Sequence, residues 1–239
     1  MQYSRPINKD TRASEVIDGN PLTLLMLEHF NIPLGLQDKT IVQLAAEYDI
    51  DVRIFLSIIG LYNGQRPDYK SIDTIENITP IVNFLKRSHQ HYLIEQFPLL
   101  TMHLSEISTL NTHAEIEMLI RFFDDYLDEV AEHLRYEDEV VFPYIIGLTQ
   151  KSQSLTESST SGFSISEYRS HHDDIEEKLH DLKNLLIRYL PSQDDTIPRR
   201  KLLFALNELE ADLHVHSEIE EIILIPIVEK LEISINTTR

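Results

Sequence analysis

The chain has no cysteine and no tryptophan, only 6 glycines in 239 residues, and 21 lysines and arginines against 40 aspartates and glutamates. Without cysteine there are no disulfides, thiolate metal sites or cysteine nucleophiles, and nothing demands an oxidising compartment. The formal charge of −19 argues against nucleic acid and anionic membrane as direct partners, because affinity for phosphate rests on lysine and arginine. No run approaches the ~18 apolar residues of a membrane span, and the opening MQYSRPINKDTRASEVIDGN holds no apolar signal-peptide core. Cytoplasm is the expected location. Scarce glycine, together with apolar residues recurring every three or four positions, favours an all-α protein over a sheet.

A hydrophobic content of 42% supplies a substantial core. The N-terminal third reads as short helices over roughly 22–30 and 40–48 and a third that starts at a capping Asp51 and runs through VRIFLSIIGLYN. NGQRPDYK at 63–70 reads as a boundary. Four longer helical segments follow at about 73–107, 112–147, 164–190 and 196–233. They predict an antiparallel four-helix bundle over 69–239, preceded by a small helical domain over 1–68. The Ser/Thr-rich TQKSQSLTESSTSG at 149–162 reads as a loop. Thr112, Ser164 (with Glu167 as a capping box) and Asp194 or Asp195 are the expected caps.

EHLRYEDEVVFPY sets His133 and Glu137 one helical turn apart and then runs into Pro143; 83 residues further on, HSEIEEIILIP repeats the spacing with His216, Glu220 and Pro226. At average usage for this chain, eleven histidines should yield roughly 0.04 such His/Glu/Pro patterns. Residues i and i+4 share a helix face, so each pair offers an imidazole and a carboxylate to one neighbour. In the first bundle segment His89 continues the apolar row Val82, Leu85, Tyr92, Leu99, whereas His91 sits about 160° further round, towards the flank. In the third, His172 lines up with Tyr168, Ile175, Leu179 and Leu182, and His171 lies about 100° away. Each helix thus supplies one inward histidine and two add a glutamate. Four imidazoles and two carboxylates suit two first-row transition ions better than a closed, four-coordinate structural zinc site. His29, His103, His113 and His180 read as surface or packing residues, His214 as a group beside the site, and DDYLDEVAE as a solvated face. A metal-free bundle is the competing reading; it predicts that Glu137→Ala and Glu220→Ala leave metal content unchanged.

These segments resemble the hemerythrin-like di-iron proteins, and within them the repair-of-iron-centres family. HLRYEDEVVFP and HSEIEEIILIP resemble the family's paired H-x3-E-x5-P segments, SHHDDIEEKLHDLK its third-helix segment and RSHQHYLIEQFP its first. The resemblance implies two non-haem irons on His133, Glu137, His172, His216 and Glu220, with the first-helix ligand open between His89, the inward candidate, and His91. Glu221, five residues after His216, is a minor competitor for Glu220, since oxygen-carrying hemerythrins place an acid at that offset. LLMLEHFNIPLGLQDKTIVQLAAEYDIDVRIFLSII, within 13–62, resembles the family's small N-terminal domain but lacks its cysteine pair. The implied function is repair of, or iron supply to, iron-sulfur centres under nitrosative or oxidative stress. The alternatives are an oxygen- or nitric-oxide-sensing module and a redox enzyme acting on peroxide or nitric oxide. Expected partners are those diatomic ligands and damaged iron-sulfur proteins.

Overall fold

The computed structural model describes residues 6–67, 77–153, 164–165, 168, 175–191 and 193–237. The fold is all-α, with small helices preceding a helical bundle, as the composition predicts. Among the described residues the nearest thing to a sheet is a single bridge between Arg12 and Thr40. No helix among them is long and apolar enough to cross a membrane.

The early helices are α1 (Ala13–Gly19), α2 (Thr23–His29), α3 (Ile41–Glu47) and α4 (Val52–Tyr62). α1 has no counterpart in the sequence reading. Asp51 caps α4 as expected, accepting the Arg53 amide hydrogen at 2.8 Å, and Thr40 with Gln43 closes a capping box on α3. α2, α3 and α4 stop by one device. Asn31, Asp49 and Gly64 take positive φ (58°, 54° and 69°). The amides of Ile32, Ile50 and Gln65 then donate back to the carbonyls of Leu27, Ala45 and Gly60 at 2.8 Å. This satisfies carbonyls that the helix end leaves open. Ile32 and Ile50 are buried, so each stop also feeds the core.

The later chain forms α5 (Thr79–His91) and α6 (Phe97–Leu110), α7 (Ala114–Tyr136) and α8 (Phe142–Gln153), α9 (Ile175–Asn184), and α10 (Thr196–Glu218) and α11 (Ile225–Thr237). Wider π turns at Tyr92–Gln96, Glu137–Val141 and Ile219–Leu224 join three of these pairs, and a fourth at Leu185–Tyr189 follows α9. The chain stays helical past Pro143 and Pro226, to Gln153 and Thr237. Residues 149–153, expected to open a loop, are therefore helical. Residues 154–163 lie outside the described set, as do residues 68–70 of the 63–70 stretch where a boundary was expected.

Two compact units divide the chain. The first comprises Met1–Arg87, Phe142–Ser170 and Val215–Arg239. Its core includes Phe30, packed edge-on to Phe55 at 5.1 Å and tilted against Phe84 at 4.8 Å. α8 packs on α11 there, and Glu232 accepts the Ile165 amide hydrogen at 3.0 Å and the Tyr144 hydroxyl at 2.5 Å.

The second unit comprises Ser88–Val141 and His171–His214. Four helical segments enclose one apolar core, with Leu100, Leu104 and Ile107 from α6, Phe123, Val130 and Leu134 from α7, Leu179 and Leu182 from α9, and Leu206 and Leu209 from α10. The short connections after α6 and before α10 meet at one end, so consecutive segments run antiparallel. Asn111 donates to the Pro191 carbonyl and to Asp195, both at 2.8 Å. Arg199 donates to Asp195 at 2.6 Å and to the carbonyls of Leu186, Leu190 and Pro191. Burial pushes the Asp195 carboxyl up, but hydrogen bonds from Arg199 and Asn111 outweigh it and hold it below the usual carboxylate range. Thr112 is not the cap of α7: His113 holds that position without a side-chain bond, and Asn111 accepts the His113 amide hydrogen at 3.2 Å.

Candidate metal-ligating groups

Ionisable residues occupy places in apolar helix rows where a hydrophobe is expected. Along α5 the row Val82, Leu85, His89, Tyr92 is at most 2% exposed throughout. Along α7 the row Phe123, Tyr126, Val130, Leu134 leads to Glu137 at 0% exposure, then Val141. Along α10 Leu209 and Leu213 lead to His216 at 5% and Glu220 at 1%. A carboxylate so placed costs several kcal/mol to desolvate unless positive charge meets it.

In the second unit that charge comes from two rings. Glu137 Oε1 lies 2.9 Å from His133 Nε2 and Oε2 lies 3.2 Å from His89 Nε2. The opposite nitrogen of His89, Nδ1, lies 3.3 Å from Asp138 Oδ1. Burial disfavours the charged His89 ring, but the hydrogen bonds and charges of Asp138 and Glu137 overcome it and push its pKa up to about 9. For Glu137 burial acts upward, and the hydrogen bonds and charges of His133 and His89 bring it well below the ordinary carboxylate range. Two imidazoles thus bracket an ionised carboxylate.

In the first unit His216 Nε2 lies 3.4 Å from Glu220 Oε1, one turn away. Glu220 is buried while Glu221 is exposed. The π turn uses the Glu220 backbone as well, since its carbonyl accepts the Ile225 amide hydrogen five residues on.

His89, His133 and Glu137 are therefore brought together, and His216 and Glu220 form their own pair. His89, Glu137 and His216 each carry a buried atom able to ligate a metal. His172 and His171 lie outside the described residues. The sequence placed His91 on the flank; it is 8% exposed, with Glu95 Oε2 3.5 Å from Nδ1 and Gln96 Nε2 3.1 Å from Nε2. His29 and His103 are buried packing residues, the first edge-on to Phe84 at 5.1 Å and the second 3.3 Å from Glu106. The side chains of His180 and His214 are 66% and 58% exposed. Sequence reasoning missed Asp138, whose only signal is its place beside Glu137. It also missed Asp212, which is 1% exposed and accepts the Tyr92 hydroxyl at 2.8 Å.

A fit to iron follows from the donors. Imidazole nitrogen and carboxylate oxygen suit first-row transition ions, and a buried carboxylate already balanced by two rings is a place a cation can take over that balance.

No family model matches the chain. It is similar to the iron-sulfur cluster repair protein YtfE of Salmonella paratyphi B, with 24% identity over 194 residues covering 79% of this chain and 82% of the relative. The same identity and coverage hold for the proteins of that name from Salmonella newport and Salmonella heidelberg. This similarity, spread over most of both chains, supports the resemblance to iron-centre repair proteins.

Proposed function

We propose that this is a cytoplasmic, non-haem di-iron protein that repairs iron-sulfur centres, or supplies iron to them, under nitrosative or oxidative stress. The observation that carries the proposal is the Glu137 carboxylate, fully buried between His133 and His89. Its recurrence as the buried pair His216 and Glu220 and the similarity to YtfE support it. His89, His133, Glu137, His172, His216 and Glu220 would hold two irons, within a bundle over 69–239 that follows an N-terminal module over 1–68. Bound iron would supply a redox-active centre with room for a diatomic ligand. The chain's own part is to present the imidazoles in one orientation, keep Glu137 ionised, and exclude water through the apolar rows around it. Asp138 orients His89 through its second nitrogen.

The test is metal content and optical spectrum of anaerobically purified protein, followed by incubation with a nitric-oxide-damaged iron-sulfur enzyme. About two irons per chain and recovery of the client's activity are expected. Absence of iron sinks the site; iron without recovery sinks the repair role. In the latter case an oxygen- or nitric-oxide-binding module is the second reading, favoured by the absence of the cysteine pair that the resemblance associates with the N-terminal domain.

A further inference from the structure

A second set of His and Glu side chains stands on the surface of the second unit. Glu176 and His180 are one turn apart on α9, and Glu210 and His214 one turn apart on α10. The helices run antiparallel, so unlike groups meet crosswise. His214 Nδ1 lies 3.1 Å from Glu176 Oε2, and His180 Nδ1 lies 3.7 Å from Glu210 Oε1. With Glu177 and Ala211 they line a cleft of about 590 Å³. Donors therefore alternate nitrogen, oxygen, nitrogen, oxygen around its centre.

A separate observation concerns Tyr126 on α7. Tyr126 is 2% exposed, and its hydroxyl has no hydrogen-bond partner among the described residues. Burial first, and then the charges of Glu129, Glu176 and Glu210, push its pKa far above the usual phenol value. A buried hydroxyl kept protonated beside the same carboxylates is a donor held ready for whatever gathers there.

We propose that Glu176, His180, Glu210 and His214 form a second metal site, binding one divalent first-row transition ion of zinc-like preference. The two crossed pairs stand about 6 Å apart, one helical turn, while ligands around such an ion sit roughly 2.0–2.2 Å from it. Closure thus needs side-chain movement, and these side chains are 28% to 66% exposed. Lys183 is the built-in competitor. It pairs with Glu210 Oε2, leaving Oε1 on the His180 side. Two carboxylates and two neutral imidazoles would match the charge of a divalent ion. The alternative, two solvated ion pairs with no ion, would add little stability. The proposal does not depend on the buried centre.

The test is titration of the full chain with Zn²⁺ against a chromophoric chelator, compared with His180→Ala/His214→Ala and Glu176→Gln/Glu210→Gln. Each double variant is expected to bind one fewer Zn²⁺ per chain, its residual affinity for that equivalent down at least ~100-fold, since losing even one outer-shell partner costs roughly 10–100-fold. Lys183→Met should tighten that equivalent, and Glu137→Ala/Glu220→Ala should retain it. Co²⁺ gives a second readout, since its visible bands from this site should vanish in both double variants. Unchanged stoichiometry and affinity in the two double variants, or loss of the equivalent in Glu137→Ala/Glu220→Ala, overturns the proposal.

Discussion

Replacing Glu137 by alanine asks the most of the buried site. The carboxylate is 0% exposed and each oxygen faces a ring nitrogen, at 2.9 and 3.2 Å. Truncation removes one partner from two buried charge-assisted contacts and leaves His89 with Asp138 as its nearby acid. Breaking a buried pair from one side costs about 3–5 kcal/mol. In a chain of this length each kcal/mol moves the melting temperature by roughly 2–4 °C. The metal-stripped variant should therefore melt some 6–20 °C below the metal-stripped wild type, on the order set by those two ranges. Glu137→Gln, which keeps the shape and loses the charge, should fall between. Circular-dichroism melting after chelation reads this cost, and metal analysis of untreated protein reads the second consequence, loss of much of the bound metal. An alanine variant that melts within about 2 °C of wild type and keeps its metal would refute the assignment of Glu137 as the charged centre of the site.

Glu220→Ala should lower metal content, whereas Glu221→Ala, on an exposed side chain, should leave it unchanged; metal analysis of the two side by side decides between the adjacent acids. Asp195→Ala should destabilise the protein by about 3–5 kcal/mol in urea melts, because it strips the acid from the largely buried Arg199. The Asp195 pKa is depressed on folding, so its contribution is present above the unfolded value of about 3.9 and is lost as pH falls through the folded value. Asp195→Asn should accordingly flatten the acid limb of the stability curve measured below about pH 4. Pro143→Ala should leave the melting temperature equal or higher while lowering metal content. With an amide restored, the turn can tighten to a regular helix and swing Glu137 by about 100°; retained metal would show that the proline does not hold the turn.

Much of the helical layout was legible because apolar periodicity survives without knowledge of tertiary contacts. α2, α3 and α4 fall inside the expected stretches, and Asp51 caps where a short acid before an apolar run should. The row through His89 was legible only as far as Tyr92. Beyond it the sequence points to Leu99, yet Leu99 is 37% exposed and Leu100 is buried. The π turn at Tyr92–Gln96 inserts one residue and advances the inward face by that step, which a uniform 3.6-residue count does not contain. His91 was misplaced for a different reason: Glu95, four residues on, was in view, but Gln96, five residues on, reaches the ring only across the π turn. The His/Glu pairs were visible because i and i+4 share a face at any register. Asp138 was not, since its role depends on where the His89 ring lies in space.

The prolines separate backbone mechanics from chemistry. Pro98, Pro143, Pro191 and Pro226 each stand two residues beyond the end of a π turn. Proline has no amide hydrogen, and its ring crowds the carbonyl four residues earlier. For Pro98, Pro143 and Pro226 those carbonyls belong to Ile94, Glu139 and Ile222, all inside the turns. Widening the turn carries them off the ring and lets the helix continue. After Leu185–Tyr189 it does not continue, because Leu190 is extended (ψ 121°), the conformation a residue before proline prefers. That fourth turn contains no histidine or glutamate. Proline and π turn therefore travel together whether or not a ligand pair is present, and the proline in each H-x3-E-x5-P stretch marks how the helix is built. What distinguishes two of the four turns is that Glu137 and Glu220 occupy them, in rows that would otherwise be filled by leucine and isoleucine.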